Sequence, residues 1–255
     1  MDEVFGPDNF ISTVSFTSTG SLPGKTLPRS GDYIIWYAKD YKQIKYRQLF
    51  YEKPEFDENY KFVELPGGER RNLTKEETAD ISILPIGSKI YRLSHIRSQG
   101  KSNTDQNFKF EGRIFNPGPQ HHWKTTIDGL RKLADKNRLV LAGNTINFIM
   151  YQEDFPVKSY SNLWTDTSTG GSWKIYVVQT NAEIVKRCIL MTTDPGDIVL
   201  DPTCGSGTSA YVAEQWGRRW ITIDTSRVAL ALARTRLMTA KYPYYKLKEN
   251  EHVGM

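Results

Sequence analysis

The residues best suited to chemistry in this chain are Asp201-Pro202-Thr203-Cys204-Gly205-Ser206-Gly207-Thr208, an acid leading into a glycine turn. The octapeptide follows Ile198-Val199-Leu200, which reads as a short buried strand, and opens a helix expected from about Thr208 to Trp216. A strand end that turns directly into a helix is where doubly wound sheets hold nucleotide-like ligands. Gly205 and Gly207 have no side chains, so a ligand can approach the backbone closely and positive φ angles are available to a tight turn. Asp224 stands about twenty residues downstream at the end of the next strand, Trp220 to Ile223. At that spacing an acid commonly accepts hydrogen bonds from ribose hydroxyls. Loop and acid together describe an adenosine site.

A plainer reading has the glycines form only a strand-to-helix turn while Asp224 caps a helix. It leaves Asp201, an acid at the mouth of the turn, without a task. That acid also bears on which nucleotide fits. Pyrophosphate sites prefer a neutral loop on a helix N-terminus, whereas a sulfonium cofactor brings positive charge and an amino group that a carboxylate can meet. Asp201 and the lack of a third glycine at the dinucleotide spacing favour S-adenosyl-L-methionine over NAD.

Such a loop must be carried by a parallel sheet, and residues 161–255 read as its cofactor-binding part because helix and strand alternate regularly there. Thr180-x-x-Glu183 has capping-box spacing, and Ile184, Val185, Cys188 and Ile189 give the next helix an apolar face before Asp194-Pro195-Gly196-Asp197 turns the chain. Gly217 stops the helix after the glycine loop, and Thr225 is placed to cap an Ala-rich helix from Ser226 to about Met238. Residues 1–41 read as a central part of the same sheet: a helix end over Asp2–Phe5, a Gly6-Pro7-Asp8 turn, and strands over Phe10–Phe16 and Asp32–Ala38. Between them, residues 42–160 are polar and punctuated by Gly and Pro, the texture of an inserted, strand-rich module. Its clear helix begins at Thr125, with Thr125-x-x-Asp128 as a capping box and Ile127, Leu130, Leu133 and Ala134 on one face. Arg138–Leu141 and Thr145–Tyr151 then pair as a hairpin across Ala142-Gly143-Asn144.

Bulk properties narrow the class without choosing within it. At 255 residues the chain suffices for one core plus an inserted subdomain. Lys and Arg number 34 against 29 Asp and Glu, an excess of +5 that suits a polyanionic partner without requiring one. Cys188 and Cys204 are too few for a disulfide framework or a structural zinc site, which makes a reducing cytoplasm the expected compartment. No apolar run approaches the roughly 18 to 20 residues of a membrane span, and MDEVFGPDNF lacks the pattern of a signal peptide.

DPTCGSGT resembles the DPFxGSGT loop of the S-adenosylmethionine-dependent DNA amino-methyltransferases, and the likeness extends along nearly the whole chain. The stretch from Trp173 to Leu237 is similar to the methylation subunits of type III restriction-modification systems. GRIFNPGPQHHWKTTIDGLRKLADKNRL resembles their GxxxxPxxxxHWK segment, and MDEVFGPDNF with SGDYIIWYAKD resembles the strands after their catalytic loop. The resemblance implies an α/β fold with a Rossmann-like methyltransferase sheet and an inserted strand-rich target-recognition region. It places Gln179 and Thr180 in the segment that meets the cofactor's methionine end, Asp201 through Thr208 in the glycine loop, and Asp224 on the ribose. It implies methylation of an exocyclic amino group in double-stranded DNA, with adenine ahead of cytosine as the target and the choice left open without the tetrapeptide. A second copy of the chain and a helicase-endonuclease restriction subunit are the further partners it suggests. Asn181 departs from the Lys-Pro pair often found in relatives.

A second departure concerns catalysis. The Asp/Asn/Ser-Pro-Pro-aromatic tetrapeptide with which these enzymes grip a flipped base is absent, and Asn116-Pro117-Gly118-Pro119 lacks both the Pro-Pro pair and the aromatic. Met1 aligns past the position expected for it, so the chain reads as a truncated or split product that begins after the catalytic strand and is inactive alone. Base flipping also needs phosphate contacts. The candidates are Arg70, Arg71, Arg92, Arg97, Lys101 and the His121-His122-Trp123-Lys124 cluster, although charged loop residues are usually solvated surface and a Trp beside a helix start usually anchors a core.

Overall fold

The computed structural model describes residues 1–22, 25–53, 56–101, 106–168 and 179–242. The first part of the chain supplies α1 (Asp2–Phe5), β1 (Phe10–Leu22) and β2 (Arg29–Tyr37). Then come β3 (Phe50–Glu52), β4 (Phe62–Glu64), β5 (Arg70–Asn72), α2 (Lys75–Ala79), β6 (Lys89–His95), β7 (Arg97–Gln99), β8 (Phe108–Phe110), β9 (Arg113–Phe115) and β10 (His121–Trp123). They are followed by α3 (Ile127–Asp135), β11 (Leu139–Ala142), β12 (Thr145–Tyr151) and β13 (Val157–Ser159). The chain closes with β14 (Leu163–Trp164), α4 (Ala182–Thr192), β15 (Ile198–Asp201), α5 (Thr208–Gln215), β16 (Arg219–Thr222) and α6 (Arg227–Met238). Two compact units result: Met1–Phe50 with Ser159–Met255, and Tyr51–Lys158.

In the first unit, β1 pairs with β2 antiparallel and with β14 parallel, Phe16 standing opposite Trp164. Val14, Trp164, Ile184 and Met191 form the core between these strands and α4. Arg187 is also in that interior, only 3% exposed, although it sits on the helix whose buried face was expected to be wholly apolar. Asp166 holds it with two hydrogen bonds of 2.8 and 2.7 Å, Tyr160 Oη accepts a third at 3.0 Å, and the guanidinium lies 4.0 Å from the Tyr160 ring centroid. Burial is tolerated because each N–H direction used finds an acceptor.

α4 is capped one residue later than the Thr180 spacing suggests. Asn181 is the N-cap, accepting the Glu183 N–H at 2.9 Å while its amide donates to the Thr167 carbonyl. The Asn side chain thus does two jobs with separate atoms, its carbonyl oxygen capping the helix and its amide nitrogen tying the cap to the Thr167 carbonyl. β15 and β16 pair in parallel register, Asp201 opposite Thr222, with α5 as the crossover. Val199 and Trp220 pack with Ile189, Val212 and Ala213. Ile198, Leu200 and Ile221 are more than half exposed, so the strand expected to be buried is covered on one face only. Alternation at period two accounts for the split, since α4 and α5 lie against one face.

In the second unit, an antiparallel sheet runs β11-β12-β6-β4-β5. β12 divides two small cores, with Ile149 and Tyr151 facing Tyr91, and Ile146 facing Leu130, Leu139, Phe108 and Trp123. α3 lays Leu130, fully buried, into the second of these. Its cap is Thr126, which accepts the Gly129 N–H at 3.1 Å, and not Thr125. The Thr125 side chain instead occupies the space left open by the missing side chain of Gly129.

Candidate functional site

The glycine loop is an extension of the β15–β16 ladder. The Ile223 N–H donates to the Asp201 carbonyl and the Cys204 N–H to the Ile223 carbonyl, both at 2.9 Å, which fixes the first half of the loop against the end of β16. Asp201 Oδ1 accepts the Thr203 N–H at 3.1 Å. The Gly207 N–H then closes the turn on the Cys204 carbonyl at 2.8 Å, and Gly207, at φ 74°, starts α5. The side chains of Cys204, Ser206 and Thr208 are buried, whereas Pro202 and Thr203 are exposed and Asp201 is half-buried. Gly207 serves packing rather than ligand approach: a Cβ there would lie 2.8 Å from the Cβ of Ala233 on α6.

Asp224 meets this loop directly. Its Oδ2 accepts the Gly205 N–H at 2.9 Å and its Oδ1 accepts the Ser226 N–H at 2.8 Å. These two backbone donors, Ser226 foremost, hold the carboxyl below the usual carboxylate range. Each oxygen retains acceptor capacity, so the acid can bind the loop and a pair of hydroxyls together. Ser226, not Thr225, caps α6, accepting the Ala229 N–H. Gln179 is half-buried, and Thr180 lines a crevice of about 580 Å³ together with Ile184, Val199 and Ser209. Thr180, β15 and the first turn of α5 therefore border one space, while Trp173–Val178 lies outside the described residues.

One participant is not apparent from the motif. Arg236 on α6 reaches back to the loop, donating to Thr208 Oγ1 at 3.0 Å and to both oxygens of Ser206 at 3.4 Å. Its guanidinium lies 4.7 Å from the centroid of the Tyr211 ring. Nothing local in the sequence announces it, because the interaction joins residues 28 and 30 positions apart.

Residues 1–235 match the DNA methylase family (N6_N4_Mtase). The chain belongs to that family. It is similar to the type II methyltransferase M2.DpnII of Streptococcus pneumoniae, 32% identical over 93% of this chain and 82% of the relative. It is 24% identical to M.EcaI of Enterobacter cloacae over 95% of this chain and 50% of that protein. It is 26% identical to the probable type III HindVI Mod subunit of Haemophilus influenzae over 93% of this chain and 38% of that protein. The chain thus spans about half the length, or less, of two of these three relatives.

Within the second unit, the basic residues singled out from sequence separate into two groups. Arg70 is engaged by Glu64 and the Asn137 carbonyl, Arg71 by both oxygens of Glu77 at 2.7 Å, and Arg92 by Met150 and the Tyr60 ring. Arg97, Lys101 and Lys124 are exposed. β7 and β10 bring the exposed group together, pairing Arg97 with Trp123, Ser98 with His122 and Gln99 with His121. His122 Nδ1 lies 2.9 Å from the Gly100 carbonyl. Trp123 is a core residue, 7% exposed with its indole N–H bonded to the Gln106 carbonyl, so its ring is not placed to stack on a base. Among the described residues no helix is long and apolar enough to cross a membrane.

Proposed function

We propose that this methylase chain binds S-adenosyl-L-methionine on the Asp201–Thr208 loop and Asp224, and serves the methylation of an exocyclic amino group of double-stranded DNA. The observation that supports it most directly is the 2.9 Å hydrogen bond from the Gly205 N–H to Asp224, which brings loop and acid to one side of the β15–β16 edge. When bound, the donor supplies a methyl group for in-line displacement by the amino nitrogen. Asp224 accepts the ribose hydroxyls, Asp201 offers negative charge near the sulfonium end, and Thr180, which lines the crevice beside β15, meets the methionine portion together with its neighbour Gln179. Cys204, Ser206, Gly207 and Thr208 shape the loop from behind, while Pro202 and Thr203 face outward. Tyr51–Lys158 is the target-recognition region, and Arg97, Lys101, His122 and Lys124 on and beside β7–β10 are its phosphate contacts.

Adenine is the base we favour, on the likeness of the chain to type III methylation subunits. A second copy and a helicase-endonuclease subunit are the protein partners we favour, and a cytoplasmic setting fits two free cysteines. The 255 residues contain no Asp/Asn/Ser-Pro-Pro-aromatic sequence, which favours a second reading of the same chain: donor and DNA binding without turnover on its own. Tritium transfer from labelled donor to unmethylated genomic duplex tests both. We expect retention of labelled donor on the protein and no label in DNA. Label in DNA would overturn the inactivity, and an absence of retained donor would overturn the cofactor site.

A further inference from the structure

Arg236 is a half-buried cation with no carboxylate beside it among the described residues, an arrangement that costs free energy unless other groups compensate. Burial draws its guanidinium below the usual arginine range. Its compensation comes from the glycine loop, through the Ser206 carbonyl, the Ser206 hydroxyl and the Thr208 hydroxyl, and from the face of Tyr211. The loop is therefore tied to one helix at two heights. Asp224, just ahead of α6, takes the Gly205 N–H, and Arg236, near the other end of α6, takes the oxygens one and three residues further along the loop. Ala233 lies between them, with its Cβ in the space a side chain on Gly207 would fill. The Ser206 and Thr208 hydroxyls, which the motif alone would offer to a ligand, are buried and engaged by Arg236.

We propose that Arg236 is a positioning residue for the methyl-donor site, acting through Ser206 and Thr208 to hold the loop backbone in its binding-competent shape. The inference rests on the reading of the loop as that site. A single nitrogen, Nη1, reaches all three oxygens while the planar guanidinium lies 4.7 Å from the Tyr211 ring centroid; a lysine ammonium is a compact point charge that cannot lie flat on that ring, so charge alone is not sufficient.

The test uses the full chain and its Arg236→Met and Arg236→Lys variants. S-adenosylmethionine affinity is measured by calorimetry, thermal midpoint by circular dichroism, and loop amide exchange at residues 205–208 by mass spectrometry. Arg236→Met should bind the donor about 10- to 100-fold more weakly at a nearly unchanged midpoint, with Arg236→Lys intermediate. Millimolar methylguanidinium should recover part of the loss in Arg236→Met and none in an Asp224→Ala control, a response that a general loss of packing would not give. Unchanged affinity in Arg236→Met overturns the proposal. If the wild-type chain itself gives no heat, the cofactor reading falls and exchange decides the clamp alone: faster loop exchange in Arg236→Met sustains it, and identical exchange overturns it.

Discussion

At Gly207 two constraints fall on one residue: a backbone φ of 74° and a neighbour, Ala233, whose Cβ stands 2.8 Å from where a side chain would begin. Gly207→Ala should therefore destabilise the first unit by about 1–3 kcal/mol, read as a shift in urea midpoint at constant slope. An unchanged midpoint would mean that α5 and α6 do not close on each other through this residue. Cys188 on α4 is held differently, since burial pushes its thiol up to about 11 and leaves it unreactive near neutral pH. Alkylation of the native chain at pH 8 should accordingly spare Cys188, and rapid labelling there would contradict its burial. At this scale the acid and the glycines were legible because strand, turn and helix lie next to one another in sequence. Arg187 and Arg236 were not. Charged residues are ordinarily surface, and only the fold shows that Asp166 and the Ser206–Thr208 segment are waiting for them.

Elements were readable by type and less so by boundary. The α3 and α4 caps each fall one residue beyond the spacing-based choice, because Thr125 packs over Gly129 and Asn181 bonds both Glu183 and Thr167. β1 runs to Leu22, past the expected end at Phe16, since β2 keeps pairing with it across a register shift. The half-open β15–β16 sheet was unreadable for another reason: three apolar residues in a row carry no information about how many faces a fold covers. α3 anchors its core through Leu130, so Leu130→Ala should cost about 2–5 kcal/mol in the second unit, checked by chemical denaturation. The same unit carries two carboxyls held down to about 2, Asp57 by Lys158 and Glu77 by Arg71. Groups with depressed folded pKa values stabilise above their ordinary values of 3.8 and 4.5, and that stabilisation is lost as pH falls through about 2. Denaturation midpoints of the second unit should hold steady down to about pH 5 and decline below it. A decline already complete by then would point to other groups.

For the molecule as a whole, the division into Met1–Phe50 with Ser159–Met255, and Tyr51–Lys158, matters more than the net charge of +5. The glycine loop and the strand pair that carries the exposed cations sit in different units, so the proposed donor binding and the proposed DNA binding should respond to different substitutions. Replacing Arg97, Lys101 and Lys124 together by Gln should lower the slope of log affinity for duplex DNA against log salt by about 0.9 for each phosphate that the variant leaves unneutralised. Donor binding should be untouched in that variant, and an unchanged slope would remove β7–β10 from the DNA interface.

The turn around Gly205 and the carboxylate of Asp224 are proposed to share the work of donor binding, and calorimetric titration of S-adenosylmethionine into the full chain and into Asp224→Asn tests this most directly. One saturable site in the wild type, weakened at least about tenfold in the variant, is the predicted result. Equal heats in the two proteins, or none in the wild type, would contradict it.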